Sequence, residues 1–250
     1  VSAVWSRARR VSCALLGSVL AGSPVRAGPP YVTDDPEPTD RGHWEDYLYA
    51  DGAHAAGTFG GATGVDLNYG AAENLQLTLV LPLAFERGQS THSGAGPVEV
   101  AAKYRVLRRE DGRSPLDVAL FPRVILPTAS DRFGPARASW QLPVWVQGGS
   151  GPWSVFGGVA WQWSGDRDGR DGWLAGLAAT RDLTPHLSLG AEVWHRSAES
   201  VDARSLTAMS LGLAWRFSAH WSLLASGGPG LRHARDEGQY TAYVALKADY

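Results

Sequence analysis

The feature that most restricts this chain is a run of period two. Leu75, Leu77, Leu79, Leu81, Leu83 and Phe85 alternate with Gln76, Thr78, Val80, Pro82, Ala84 and Glu86. Successive side chains of an extended strand point to opposite faces, so this stretch offers one apolar and one mostly polar face. The period returns over 98–106, with Glu99, Lys103 and Arg105 on the second face, and over 116–126, with Asp117, Ala119, Phe121 and Arg123 there. Weaker versions run over 140–147, 153–163 and 173–180, and stronger ones over 187–196, 207–217, 221–227 and 240–250. Two less regular stretches, 44–51 and 61–69, bring the expected count to about twelve strands. Most have the roughly ten residues that a tilted strand needs to cross a bilayer.

The connections carry a second signal. Those after odd strands read as long and polar or Gly-rich: 87–96, 129–137, 165–171, 198–204 and 228–238. Those after even strands are mostly tight: 71–74, 148–151, 182–185 and 218–220, with 109–114 the longest of the set. A barrel with one rim outside the cell and one in the periplasm shows this asymmetry. A soluble sandwich or lipocalin-like barrel alternates too, but its outer face carries charge. Here the first face is nearly free of charge, the second mixes small residues with few charges, and Trp and Tyr gather near segment ends. The 30 Gly and 11 Trp fit tight turns and rings held half in apolar material and half in water. The reading is therefore all-β: a transmembrane antiparallel up-and-down β-barrel over 43–250, ending on the alternation Ala242, Val244, Leu246, Ala248, Tyr250.

The N-terminus reads as an export signal over 1–27. Arg7, Arg9 and Arg10 precede a short apolar stretch, and Val25-Arg26-Ala27 offers a cleavage point. The single cysteine, Cys13, lies inside this signal, so the mature chain has no thiol for disulfides or metal. Residues 28–42 are rich in proline and acids, which excludes helix and sheet interior. They are expected to form a periplasmic strap, either an extended lead-in or a segment folded into the barrel mouth. Pro82, Pro122, Pro127 and Pro143 interrupt strand patterns, as at bulges or strand ends near a rim.

Several local words resemble a known family. Gly28-Pro29-Pro30-Tyr31-Val32-Thr33-Asp34-Asp35-Pro36-Glu37-Pro38, followed by Gly42-His43-Trp44-Glu45, is similar to the opening of a widespread family of outer-membrane transporters labelled after a meta-cleavage pathway of phenol degradation. Asn68-Tyr69-Gly70, Leu81-Pro82-Leu83-Ala84-Phe85, Lys103-Tyr104-Arg105, Phe121-Pro122, Leu126-Pro127-Thr128 and Gly151-Pro152-Trp153 resemble its later motifs. The resemblance implies a barrel, solute passage and prolines at these positions. It does not define the solute.

Catalytic, cofactor and metal signatures are missing: no HExxH, CxxC, GxSxG or GxxxxGK[ST] occurs. The neighbours Thr91-His92-Ser93 point opposite ways on an extended chain and make a poor nucleophile–base pair. Asp34, Asp35, Glu37 and Asp40 could offer oxygens to calcium, but a solvated strap is the simpler reading. The net charge of -2 gives no basic face for nucleic acid. The candidate functional set is the lumen lining: Glu99, Lys103, Arg105, Asp117, Arg123, Glu192, Arg196, Arg216 and Lys247, with Asp249 on the same face. Opposite charges there either set a field for polar solutes or pair and fill the interior. The expectation is an outer-membrane channel for passive passage of small, hydrophobic or aromatic solutes, without cofactor. Its partners would be outer-membrane lipids, the solute, and the barrel-assembly machinery acting on the strand that ends at Tyr250. The alternatives are a barrel enzyme acting on lipid or peptide, and a structural barrel with a plugged lumen.

Overall fold

The computed structural model describes residues 30–109, 115–130, 132–200, 204–231 and 238–250, so the expected export signal lies outside the described residues. The strands are β1 (Trp44–Ala55), β2 (Thr58–Ala72), β3 (Leu75–Arg87), β4 (Thr91–Ala95), β5 (Glu99–Arg109), β6 (Leu116–Leu120), β7 (Arg123–Ile125), β8 (Ser139–Ser150), β9 (Trp153–Trp163), β10 (Gly172–Thr184), β11 (Leu187–Arg196), β12 (Leu206–Arg216), β13 (Trp221–Pro229) and β14 (Tyr240–Asp249). β4 and β5 form one interrupted crossing, as do β6 and β7, so the sheet is a closed antiparallel barrel of twelve crossings. β14 pairs with β1 from Asp249 and Glu45 to Tyr240 and His54, and Trp44 and Tyr250 exchange backbone hydrogen bonds of 2.7 and 3.1 Å.

The alternation faces outward in the membrane sense. Leu77, Leu81, Leu83, Val100, Val159, Leu177, Val193, Leu211 and Val244 are exposed, whereas Gln76, Thr78, Lys103, Ala119, Glu192, Ser210 and Ala245 are buried. Aromatic rings border this apolar belt at both ends. Trp44, Trp153, Trp215, Trp221 and Tyr250 lie at the short-turn rim, and Trp140, Trp161, Trp163, Trp173 and Tyr240 at the other. These are the positions where a ring meets both lipid and water.

The prolines mark the interruptions. β3 changes its partner from β5 to β4 at Pro82, whose carbonyl accepts from the Gly96 amide at 2.9 Å. β8 changes from β7 to β6 at Pro143, whose carbonyl accepts from Phe121 at 3.0 Å. Pro122 separates β6 from β7 and accepts from Ala102 at 3.1 Å. In an antiparallel ladder a residue's N–H and C=O face the same neighbour, so each missing N–H faces a break and no ladder bond is lost there. Pro127 follows β7 and ends that crossing. These sites are interruptions within the wall rather than rim bulges.

Two connections differ from the sequence reading. The stretch 87–96 is not a long loop, because β4 pairs with the upper end of β3 and leaves only 88–90 between them. The first outer connection is a two-residue turn, with Ala56 and Gly57 at φ of 50° and 81°, a pair of left-handed residues that suits a tight hairpin. It lets β1 and β2 reach beyond the shorter segments anticipated for them.

Residues 30–39 run inside the barrel, entering from the short-turn rim where residues 40–42 lie exposed, so the strap follows the second of its two expected paths, a segment folded into the barrel mouth. The Thr39 amide donates to Gln76 Oε1 at 2.8 Å, Lys103 holds Asp34 at 3.0 Å, and the amides of Val32 and Thr33 donate to the Glu192 carboxylate. Ser226 donates to the Pro30 carbonyl. The strap thus crosses the lumen from the β2–β3 wall to the β11–β13 wall. Tyr31 lies where Gly190 and Gly212 have no side chain, since a Cβ at either would collide with its ring or hydroxyl.

The lipid face sets a direct expectation. Leu211→Arg, at a 65% exposed position inside β12, should destabilise the barrel by about 2–4 kcal/mol. Denaturant refolding into lipid vesicles measures this, with Ala214→Ser on the inner face expected to change stability far less.

Candidate functional site

Strand parity turns about half of each crossing inward, and the interior divides into three levels. Nearest the short-turn rim, Lys247 sits between Glu45 at 2.7 Å and Asp249 at 3.1 Å, and Gln76, Asn68 and Thr78 form a hydrogen-bonded cluster. Arg105 reaches Asp117 at 3.2 Å and donates through Nε to Asn74 Oδ1 at 3.0 Å.

The middle level is filled. Phe121, Trp145, Ala160, Leu174, Trp194 and Ala208 form one buried cluster, with Val32 of the strap packed on it. Tyr31, Phe156 and Ala178 form a second. Lys103 and Arg123 enter this level in ion pairs. Arg123, 1% exposed, bonds through Nε to Glu99 at 2.6 Å. Lys103, 4% exposed, holds Asp34 of the strap. The two cations lie over the Phe121 ring, at 5.0 Å for Lys103 and 4.7 Å for Arg123. A ring face is negative, so one aromatic side chain lowers the cost of two buried cations. Glu192 is equally enclosed and accepts the two strap amides.

Above the strap lies a cavity of about 210 Å³, lined by Tyr31, Phe85, Phe133, Trp194 and Tyr243 together with Asp51, Asp66 and Arg196. Phe133 reaches it because the outer residues 126–130 and 132–138 fold inward, where the Ser130 amide donates to the Ala95 carbonyl at 2.9 Å. Beside it a vestibule of about 480 Å³ opens among the outer loops, with Gln141, Asp166, Glu199 and Ser200 in its wall. Arg196 belongs to the cavity and Glu199 to the vestibule, and the two pair at 3.6 Å, so the spaces meet at this ion pair. Burial pushes the Glu199 carboxyl above the usual carboxylate range, with Arg196 opposing the shift.

Most of the charged residues chosen from the sequence face the interior, at different heights. Glu99, Lys103, Arg123 and Glu192 hold the middle, Arg105, Asp117 and Lys247 the lower level, and Arg196 the upper. Arg216 is different. It lies exposed at the end of β12 and donates to the Pro185 carbonyl of a turn at 2.7 Å, because the strand has already reached the rim. The strap acids form no four-membered cluster: Asp34 and Asp35 both face Lys103, at 3.0 and 3.9 Å, Asp35 also accepts from the Glu37 amide, and Glu37 and Asp40 are exposed. His92 bonds to Ser90 at 2.7 Å, on an exposed hairpin outside both cavities.

Residues missed from the sequence are mainly uncharged. Trp145 and Trp194 occupy inward positions of their strands, and the period-two phase alone would have placed them there. Tyr31 gives no such signal, because the strap has no period.

Comparison with known proteins follows from this geometry. The sequence model of a family described as "Putative MetA-pathway of phenol degradation" matches residues 46–248. No curated protein matches the chain. Among solved structures, the COG4313 outer membrane channel from Pseudomonas putida F1 superposes with a TM-score of 0.66 at 17% identity, covering 86% of this chain and 98% of that one. The KdgM porin gives 0.51 at 11% identity, covering 82% and 99%. The NanC porin gives 0.52 at 7% identity, covering 80% and 98%. At these identities the likeness is one of fold, that of outer-membrane barrels.

The strap anchor is open to test. Lys103→Met leaves the Asp34 carboxylate buried without its cation, which costs about 3–5 kcal/mol for such a pair. Hydrogen exchange at residues 31–40 should accelerate strongly in that variant. Adding Asp34→Asn to it should restore part of the protection.

Proposed function

This chain belongs to the family whose sequence model it matches, and we propose that it is a passive outer-membrane channel for small solutes. The preferred solutes are compact, with an apolar or aromatic body. The observation that carries this reading is the junction at Arg196 and Glu199, where a polar vestibule meets a cavity walled by aromatic rings above the strap. A solute arriving from the long-loop rim loses water stepwise along this route, which suits an apolar body with few polar groups. Passage beyond the strap requires the strap to shift. Few polar anchors hold it, chiefly Glu192, Lys103, Gln76 and Ser226. No cofactor or covalent chemistry enters. Export through residues 1–27 and insertion guided by the strand ending at Tyr250 belong to the same reading.

A second reading has its own support. The packed middle level of Phe121, Trp145 and Trp194 favours a barrel whose lumen stays plugged. Flux separates the two. The purified chain in planar bilayers and in solute-loaded liposomes should pass ions weakly and small aromatic alcohols readily. Glu192→Gln, which weakens the acceptor for both strap amides, should raise conductance several-fold. Absence of conductance and of flux for every solute, in both proteins, leaves the plugged barrel.

The Arg196–Glu199 pair adds a pH dependence. Glu199 takes up its proton at a higher pH than an ordinary carboxyl, so acidification from neutrality neutralises it early and leaves Arg196 charged. Reversal potentials in a salt gradient should therefore move toward anion selectivity as pH falls. Glu199→Gln should show that selectivity already at neutral pH and lose most of the shift.

A further inference from the structure

The vestibule has features that solute passage does not need. Its floor consists of inward-facing residues at the top of β8 and β9, Gln141 and Gln162, which are paired across the two strands. Its walls are three outer loops stapled to one another. Asp166 accepts the amides of Ala136 and Arg137 at 3.2 and 2.9 Å, and the Arg170 amide donates to the Glu199 carbonyl at 2.9 Å. The opening is therefore a formed recess rather than a gap between loose loops. Its volume, about 480 Å³, lies in the range of roughly 300–1,000 Å³ usual for small-molecule sites.

Three polar atoms of this recess, one on β8 and two in the loop after β11, make no hydrogen bond: Gln141 Oε1, Ser200 Oγ and Glu199 Oε1, the last in an ion pair with Arg196 at 3.6 Å. Gln141 is 3% exposed, and a buried amide oxygen without a donor is an uncommon and unfavourable state. A modest turn of these side chains toward the recess would offer two acceptors and a hydroxyl to a ligand. Charge does not select an ion, because the Asp166, Asp168 and Glu199 carboxyls stand among the Arg137 and Arg167 guanidiniums. A ligand that satisfies both acceptors and donors without net charge carries several hydroxyl groups.

We propose that this vestibule binds a neutral polyhydroxylated solute, a free sugar or polyol, through Gln141, Glu199 and Ser200. The recess is floored by inward-facing residues of β8 and β9 rather than by lipid-facing ones, so the ligand sought is a free solute rather than a membrane-anchored one. This site does not depend on whether the lumen conducts.

The test uses the full mature chain, folded in an amine-oxide detergent, because sugar-headed detergents would occupy the recess. Sucrose and myo-inositol are titrated by calorimetry, with tetramethylammonium and acetate as charged probes. Saturable binding of sucrose or inositol is expected, weakened about tenfold by Gln141→Leu or by Ser200→Ala, the loss of roughly one hydrogen bond. Heat-modifiable migration on gels checks that each variant is folded, and Ser200→Ala, in an outer loop, stands as the test if Gln141→Leu does not fold. Three results overturn the proposal: no saturable binding of either polyol, binding unchanged in the folded variants, or tighter binding of a charged probe than of sucrose.

Discussion

Hydrocarbon offers no partner to a peptide N–H or C=O, and the architecture follows from that constraint. A sheet can enter a bilayer only if every ladder closes on another, so the last strand must return to the first. β14 does so along its whole length, from Asp249 beside Glu45 to Tyr240 beside His54. Closure then reverses the usual placement of residues. Leu, Val and the girdle aromatics face lipid, and the chain's polar and charged side chains are left to share a narrow interior.

That interior is too wide for wall residues alone and too confined for free water around its charges. The solution is an internal segment. The strap brings Asp34 to Lys103 and backbone amides to Glu192, so two wall charges that would otherwise be buried without partners are satisfied by residues preceding the first strand. Arg123 and Glu99 neutralise one another, and Phe121 lies beneath both neighbouring cations. Strap and wall are therefore mutually dependent: removing either leaves ions in a medium that solvates them poorly.

Much of the barrel was legible because a period of two is a local property. Leu75 through Glu86 needs no tertiary information to declare its two faces, and the same parity placed Glu99, Lys103, Arg123 and Glu192 inside. What was not legible depended on contacts distant in sequence. The prolines could be seen to break strands, but their alignment opposite one another's interruptions involves β3, β5, β6, β7 and β8 together. Arg216 shares its parity with lumen residues, yet parity says nothing about height along the axis. The strap's path follows from charge and shape complementarity with the wall, and from the vacancy at Gly190 and Gly212 that receives Tyr31. A loss of side chain in two strands gives no pattern that points to an aromatic ring more than a hundred and fifty residues away.

The place where the strap joins the wall has a topological consequence. Residue 42 leads directly into β1 at the rim that also carries Tyr250, and Trp44 and Tyr250 lock the two ends of the chain together there. A tail hinged at the seam can swing into the cylinder after the final strand has zipped, without being threaded through any closed loop. Assembly of the wall and filling of its interior by residues 30–39 are thereby separable in time.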